Sequence, residues 1–367
     1  PPLLFVEKTV SPHAIISLSP SNAALYQERI VSPIGLTKEV HAATLVENGQ
    51  SQLLAFWYGG SREGAKDVAI FSAVLNEKTQ SWEKSRPLFN RSDVEKDLGR
   101  YIKKVGNPVV VKDFNNQLWL FFVTVSVGGW AGSAINYRIS TDHGETWQPS
   151  RRLVTSPFLN LSTLVKGTPI LYQDGSIGLP VYHEFLGKFS FLVRVDSSGR
   201  VVASSRMTRA REAIQPSLLV KDEKNIEAYL RFTGKESNKI MFSYSSNAGQ
   251  SWSYPEKMSL PNPNAAVAVL SLDQNLNLLV FNNTVMHRNV LSLAISQHRG
   301  GPWRVVHDFE YEKVTPSDYG FSYPVVLSDQ EGDVHVLYSW KRKYIKEVVF
   351  NQAWLVTAMQ KEAVHSN

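Results

Sequence analysis

The chain has 367 residues, 43% hydrophobic and 20% charged, enough for one large domain or two medium ones with a sizeable core. Its 39 Lys+Arg against 33 Asp+Glu give a net charge of +6, which favours an anionic partner without naming one. The absence of cysteine excludes thiol catalysis, Cys-ligated zinc, iron–sulfur clusters and disulfides. The longest apolar run, from Leu118, is about half the ~20 residues of a membrane-spanning helix. In chain order, an apolar strand leading through a polar turn into a second apolar strand recurs six times. The pairs are HAATLVE–QLLAFWY from His41, NPVVV–LWLFF from Asn107, GTPILY–IGLPVY from Gly167, QPSLLV–IEAYLRF from Gln215, AVAVLS–NLLVFNN from Ala266 and YPVVLS–VHVLYSW from Tyr323. Helical periodicity is nearly absent.

A second repeat accompanies the first. Ser140, Asp142, Gly144 and Trp147 fit S-x-D-x-G-x-x-W, and Ser245, Asn247, Gly249 and Trp252 repeat it with Asn in the Asp position. Ser296, His298, Gly300 and Trp303 keep the spacing with His there. This is the Asp-box pattern of a hairpin: a short polar side chain bonds nearby backbone N–H groups, Gly takes the turn and Trp packs beneath. Six hairpin units completed by such outer hairpins predict an all-β fold, a six-bladed β-propeller of four-stranded antiparallel sheets. Two β-sandwiches are the alternative, but no Pro/Gly/Ser-rich linker separates them. The expectation is a single domain over 1–367, with 1–40 closing or packing on the propeller. Because the chain opens at Pro1 without Met or signal peptide, a processed or trimmed N-terminus is also expected.

In such blades the start of each first strand and the exit of each second strand lie at one end of the axis. Entry residues are then His41, Asn107, Gln215 and Tyr323. Exit segments are 59–67, 127–132, 183–188, 231–235, 282–289 and 339–343, rich in Arg, Lys, His, Asp and Glu. That end reads as a polar pocket for an anion. The box tryptophans are packing residues, and KRKYIK from Lys341 reads as a solvated strand end, with contact to phosphate-rich lipopolysaccharide or membrane as its alternative.

These residues resemble the sialidases: Asp boxes on a six-bladed propeller, arginines about two-thirds along the chain, and a Tyr opening the last blade. More closely, HAATLVE, GGSREGAKDVAI, IQPSLLV, LPNPN and FSYPVV are similar to the bacterial predicted-neuraminidase group, which includes the soluble subunits of enzymes that strip Kdo from lipopolysaccharide. The resemblance covers nearly the whole chain from about His41. It implies a retaining exo-glycosidase that removes a terminal 2-keto-3-deoxy sugar acid, without metal or cofactor. It also implies a periplasmic or secreted protein acting on an acidic glycan, with a membrane, lipopolysaccharide or membrane-subunit contact and no nucleic acid.

Carried over residue by residue, Arg231 and Arg288 match the second and third arginines that grip the substrate carboxylate. The first falls at His41, with Arg62 assisting from the adjacent loop. Asp67 matches the acid/base and Tyr323 the nucleophile, a residue suited to an anomeric carbon that bears a carboxylate because a neutral phenol meets less repulsion. The family's Glu that activates the Tyr is replaced by Gln215, which cannot accept a proton. Glu184, beside His183, is the substitute, with Glu212 the weaker one. Asn107 stands where sialidases place an Asp that reads the amino-sugar substituents, a point for Kdo-type sugars. A uronate lyase using His and Tyr, and a non-catalytic carbohydrate-binding propeller, are the rival readings.

Overall fold

The computed structural model describes residue 4 and residues 23–129, 132–156, 162–184, 187–208, 212–235, 238–272, 276–313 and 319–360. Six antiparallel sheets of four or five strands follow one another along the chain. Each is led by an inner strand and each lies beside its sequence neighbours, the sixth returning to the first. This is a closed six-bladed propeller. Inner strands are Glu39–Glu47, Lys104–Lys112, Thr163–Val165 continued by Ile170–Leu171, Ala213–Val220, Ala268–Ser271 and Phe321–Ser328. Those of blades one and two are buried along almost their whole length, which explains why they read as unbroken apolar runs rather than as alternation.

The third blade departs from the sequence pattern. Its inner strand begins at Thr163 and not Gly167, and is interrupted where Gly167 takes φ 105°. A Cβ there would lie 2.2 Å from the Pro216 carbonyl oxygen of the next blade, so glycine breaks the strand to let two backbones meet. The sixth blade is completed from the other end of the chain: Tyr26–Ile30 pairs with Tyr344–Phe350 as its outermost strand.

Core clusters form between blades. Val109, Phe121 and Ile135 of blade two pack with Leu179, Val181 and Val193 of blade three, each such side chain contributing roughly 1.5–3 kcal/mol by leaving water. The Asp boxes sit on the turns after the third strands of blades two, four and five, at the end away from the entry residues. In the first, Asp142 accepts from the Thr146 amide at 2.9 Å and Ser140 Oγ accepts from Gly144 N at 2.9 Å. Asn247 and Ser245 repeat both bonds, whereas the His298 box holds its turn through the His298 backbone.

Candidate active site

What aims side chains into the mouth of the propeller is a repeated irregularity of its inner strands. In four blades the pairing of first with second strand skips a step near its start: between His41 and Thr44, Gly106 and Val109, Ile214 and Ser217, and Ser322 and Val325. Within each skip one residue has positive φ: Ala42 (54°), Asn107 (47°), Gln215 (53°) and Tyr323 (56°). A bulge of this kind turns a side chain off the regular alternation, and the left-handed backbone costs a non-glycine residue of order 1–3 kcal/mol. Asn264, just ahead of the fifth inner strand, has the same conformation (55°).

The bulges bring together most of the residues that the sequence singled out. Gln215 is buried and central. Its Oε1 accepts from Arg231 Nη1 at 3.2 Å, so its amide nitrogen is the atom that faces the tyrosines. That nitrogen donates to Tyr323 Oη at 3.1 Å and to Tyr182 Oη at 3.3 Å. Asn107 Nδ2 also donates to Tyr182, at 3.4 Å. The His41 ring stands edge-on to Tyr323, centroids 4.3 Å apart, and bonds Ser339 Oγ through Nδ1 at 2.8 Å. Burial, reinforced by the positive charges of Arg342, Arg288, Lys166 and Arg231, holds the His41 pKa well below its ordinary value. His41 is therefore a neutral imidazole in this site. Its Nε2 and the Tyr58 hydroxyl are buried without a hydrogen-bond partner among the described residues, a cost of about 1–3 kcal/mol each that a polar ligand can remove.

Asn264 clamps the two arginines. Its side-chain oxygen accepts from Arg231 Nε at 2.5 Å and its backbone oxygen from Arg288 Nη2 at 2.9 Å. Both half-buried guanidinium groups thus rest on neutral acceptors, whereas Arg29, Arg138 and Arg342 each meet a carboxylate. Burial and the neighbouring Arg231 lower the Arg288 pKa to about 10, which leaves it cationic at neutral pH. Two adjacent positive charges, neither hydrogen-bonded to a carboxylate among the described residues, constitute a site for an anion.

Four residues at the mouth were missed by sequence reasoning. Asn264 lies in the LPNPN turn and Tyr182 precedes His183. Lys166 is buried, with Nζ 3.4 Å from the Ala43 carbonyl and 5.6 Å from the Tyr323 ring centre; burial lowers its pKa to about 8. Arg342, in the segment read as a solvated strand end, pairs with Glu63 at 2.8 Å and Glu39 at 3.4 Å.

Other predicted residues lie apart from the Gln215 network. Asp67 is exposed, and both its carboxylate oxygens accept from Ser61, side chain and backbone, at 2.9 Å. Those bonds hold its pKa below the ordinary carboxylate value. Arg62 is exposed beside it. Glu184 is half-buried, its amide donating to Ser162 Oγ at 3.1 Å, and its charge reaches Tyr182. His183 stacks on Phe189 with centroids 4.8 Å apart, and burial lowers its pKa. Glu212 is exposed, at φ 92°. In the predicted exit segments, residues 130, 131, 185 and 186 lie outside the described set. Among the described residues no cluster of three or more His, Asp or Glu could hold a metal ion, and no helix is long and apolar enough to cross a membrane.

Comparison with known proteins agrees with this architecture. A family model described as a BNR repeat-like domain matches residues 51–336. No curated protein matches the chain. Among solved structures, the Hadza microbial sialidase Hz136 superposes with a TM-score of 0.70 at 16% identity, covering 88% of this chain and 68% of that one. A protein of unknown function from Dyadobacter fermentans gives 0.69 at 12% identity, over 89% and 99%. The intramolecular trans-sialidase from Ruminococcus gnavus gives 0.68 at 12%, over 87% and 96%. At these identities the likeness is one of fold.

Proposed function

The chain belongs to the BNR repeat-like domain family, and from that premise we propose that it is a retaining exo-glycosidase acting on a terminal 2-keto-3-deoxy sugar acid, either sialic acid-like or Kdo. The observation that carries the reading is the pair Arg231 and Arg288, set beside Tyr323 and held against neutral acceptors. A sugar carboxylate supplies the missing negative charge, and guanidinium groups receive it through paired hydrogen bonds. His41, neutral, contributes one polar contact at the position that matches the first of the family's three arginines.

In the proposed reaction the carboxylate pairing sets the anomeric carbon over Tyr323 Oη. The bond to the departing sugar breaks with its electrons on the leaving oxygen, which takes a proton from the loop between the second and third strands of blade one. The phenol oxygen bonds to the anomeric carbon, and its proton passes toward Glu184, whose charge reaches Tyr182. Water then attacks the anomeric carbon and breaks the Tyr–sugar bond, giving its proton to the loop acid, while Glu184 returns its proton to the Tyr323 oxygen. Asn107, an amide bonded to Tyr182, offers no carboxylate to read an amino-sugar substituent, which favours a Kdo-type sugar. A periplasmic or secreted location, and contact with lipopolysaccharide or a membrane partner, fit that substrate and are part of the proposal.

A second reading, β-elimination on a uronate, is favoured by the hydrogen bond that Tyr323 receives from an amide donor. Incubation with a panel of α-linked sialosides, Kdo-containing lipid A precursors and polyuronates separates the two. We expect free keto-acid from one of the first two classes and its loss, by a hundredfold or more, in Tyr323→Phe. A product absorbing in the near ultraviolet establishes the lyase instead. Sugar-acid binding without turnover leaves a carbohydrate-binding propeller.

A further inference from the structure

Resting on the glycosidase reading above, we propose that Glu63, and not Asp67, exchanges a proton with the departing oxygen, and that Arg342 holds Glu63 until the substrate carboxylate arrives. The two carboxylates occupy the same short loop but are placed for different tasks. Asp67 stands at its end, exposed, both oxygens engaged by Ser61 at its beginning. That arrangement closes the loop and occupies both oxygens of Asp67.

Glu63 is at the tip. Its amide donates to Glu39 Oε2 at 3.1 Å, and the same Glu39 oxygen takes Arg342 Nη1 at 3.4 Å. Arg342 Nη2 meets Glu63 Oε2 at 2.8 Å. The Arg342 carbonyl accepts from Val40 N at 2.8 Å, so this ion-pair cluster adjoins His41. The loop is also pressed onto blade two: a Cβ on Gly64 would lie 3.1 Å from Lys104 Nζ. The negative charge of Glu63 is felt at Tyr58, Arg288 and Lys104 as well as at Arg342.

Two carboxylates share one guanidinium here. A substrate carboxylate entering beside Arg288 brings a third negative charge, and Arg342 can turn to it only by releasing one of the two. Glu63, at 32% side-chain exposure against 18% for Glu39, is the less enclosed, and only Glu39 is bound by a backbone amide. Released next to a bound anion, Glu63 takes a proton from solvent. It gives that proton to the leaving oxygen as the glycosidic C–O electrons move there. As a carboxylate it then removes a proton from the water whose oxygen attacks the anomeric carbon, and the cycle closes.

The test compares Glu63→Gln with Asp67→Asn on two substrates of the same sugar acid, one with an alkyl and one with a nitrophenyl leaving group. We expect Glu63→Gln to lose a hundredfold or more in kcat on the alkyl glycoside and less than tenfold on the nitrophenyl one, which departs without protonation. Asp67→Asn should lose less than tenfold on both. Calorimetry with the free sugar acid, in two buffers of different ionisation enthalpy, gives a readout without turnover. The wild type and Asp67→Asn take up a proton on binding, whereas Glu63→Gln binds without uptake, which also shows that it is folded. A wild type that binds and cleaves while Glu63→Gln is unimpaired on the alkyl substrate, or Asp67→Asn carrying the leaving-group signature, overturns the assignment of Glu63. A wild type that binds no sugar acid overturns the parent reading and this one with it.

Discussion

Arg231 and Arg288 illustrate how the partners of a buried cation decide whether it is left to attract an anion. Each is half-buried beside the other, and its hydrogen-bond acceptors among the described residues are an amide or a carbonyl. The two buried histidines of the inner sheets follow the same electrostatic logic in opposite directions. His335 is enclosed by Glu347 at 2.7 Å and Asp329 at 3.0 Å. Burial alone would lower its pKa, but those hydrogen bonds and charges prevail and raise it to about 9. His41 faces cations and is lowered. A raised pKa gives stability that is complete below the unfolded value near 6.5 and declines as pH rises through 9. A lowered one gives stability that is present above 6.5 and lost as pH falls, because the unfolded chain then binds a proton the folded one refuses. Stability should therefore peak near pH 6–7. From pH 6 to 8 we expect the urea-derived unfolding free energy to fall by only about 0.5–1 kcal/mol, a loss of about 2 from His335 being partly offset by the gains from His41 and Lys166. His335→Gln should flatten that alkaline decline and His41→Asn the acid one. A wild-type profile rising steadily to pH 8 contradicts both assignments.

At the scale of the strand, the bulges at Ala42, Asn107, Gln215 and Tyr323 trade backbone strain for side-chain aim. Three of these residues precede proline, in Asn107-Pro108, Gln215-Pro216 and Tyr323-Pro324. Proline cannot supply a ladder N–H, so the ladder opens there at little further loss. Asn107→Val should lower stability by about 2 kcal/mol or more, since a β-branched residue resists positive φ. Asn107→Gly should cost less than half of that, because its relief at φ 47° offsets the loss of a 3.4 Å hydrogen bond to Tyr182. Equal losses for the two variants, in thermal or urea unfolding, would mean that the strain is not stored at this position. The strands and boxes were legible in the sequence because burial on both faces and turn chemistry leave local signatures. Tyr323, Gln215, Arg231 and Arg288 were legible through their place in the repeat. Arg342 was not. It lies in a three-residue hairpin loop, 341–343, where Lys341 and Arg342 both take positive φ, 48° and 57°, a conformation usually marked by Asn or Gly. With Lys-Arg there the turn had no signature, so 339–343 was placed at the mouth end as an exit segment without Arg342 being singled out. Glu63, the acid proposed above, had no motif position to mark it: the sequence placed all of 59–67 at that end without separating its carboxylates.

The whole molecule is a ring, and its closure depends on one strand from near the chain's beginning. Tyr26–Ile30 supplies the outer edge of blade six, and Tyr26 stacks on Trp354 with centroids 4.7 Å apart. Arg29 reaches Glu347 at 3.4 Å, whose side chain is fully buried and also accepts from Trp82 Nε1 of blade one at 2.7 Å. One carboxylate thereby joins the closing strand, the body of blade six and its neighbour, in a chain with no disulfide to do so. The inner ends of all six blades define the mouth, so any loosening of this joint also moves Tyr323 relative to His41, which belong to blades six and one. Removing one partner of a buried pair costs far more than removing an exposed one, about 3–5 kcal/mol against 0–1. Because Glu347 retains His335 and Trp82, Arg29→Ala should cost about 1–3 kcal/mol. Arg200→Ala, which removes an 80%-exposed arginine from its pair with Asp196, should cost less than about 0.5 kcal/mol. In calorimetric unfolding we expect Arg29→Ala to melt several degrees lower but still in one transition, as blades that share cores across every interface must. A separate early transition in that variant would mean that blade six opens alone, and the propeller would then behave as an array of neighbouring sheets.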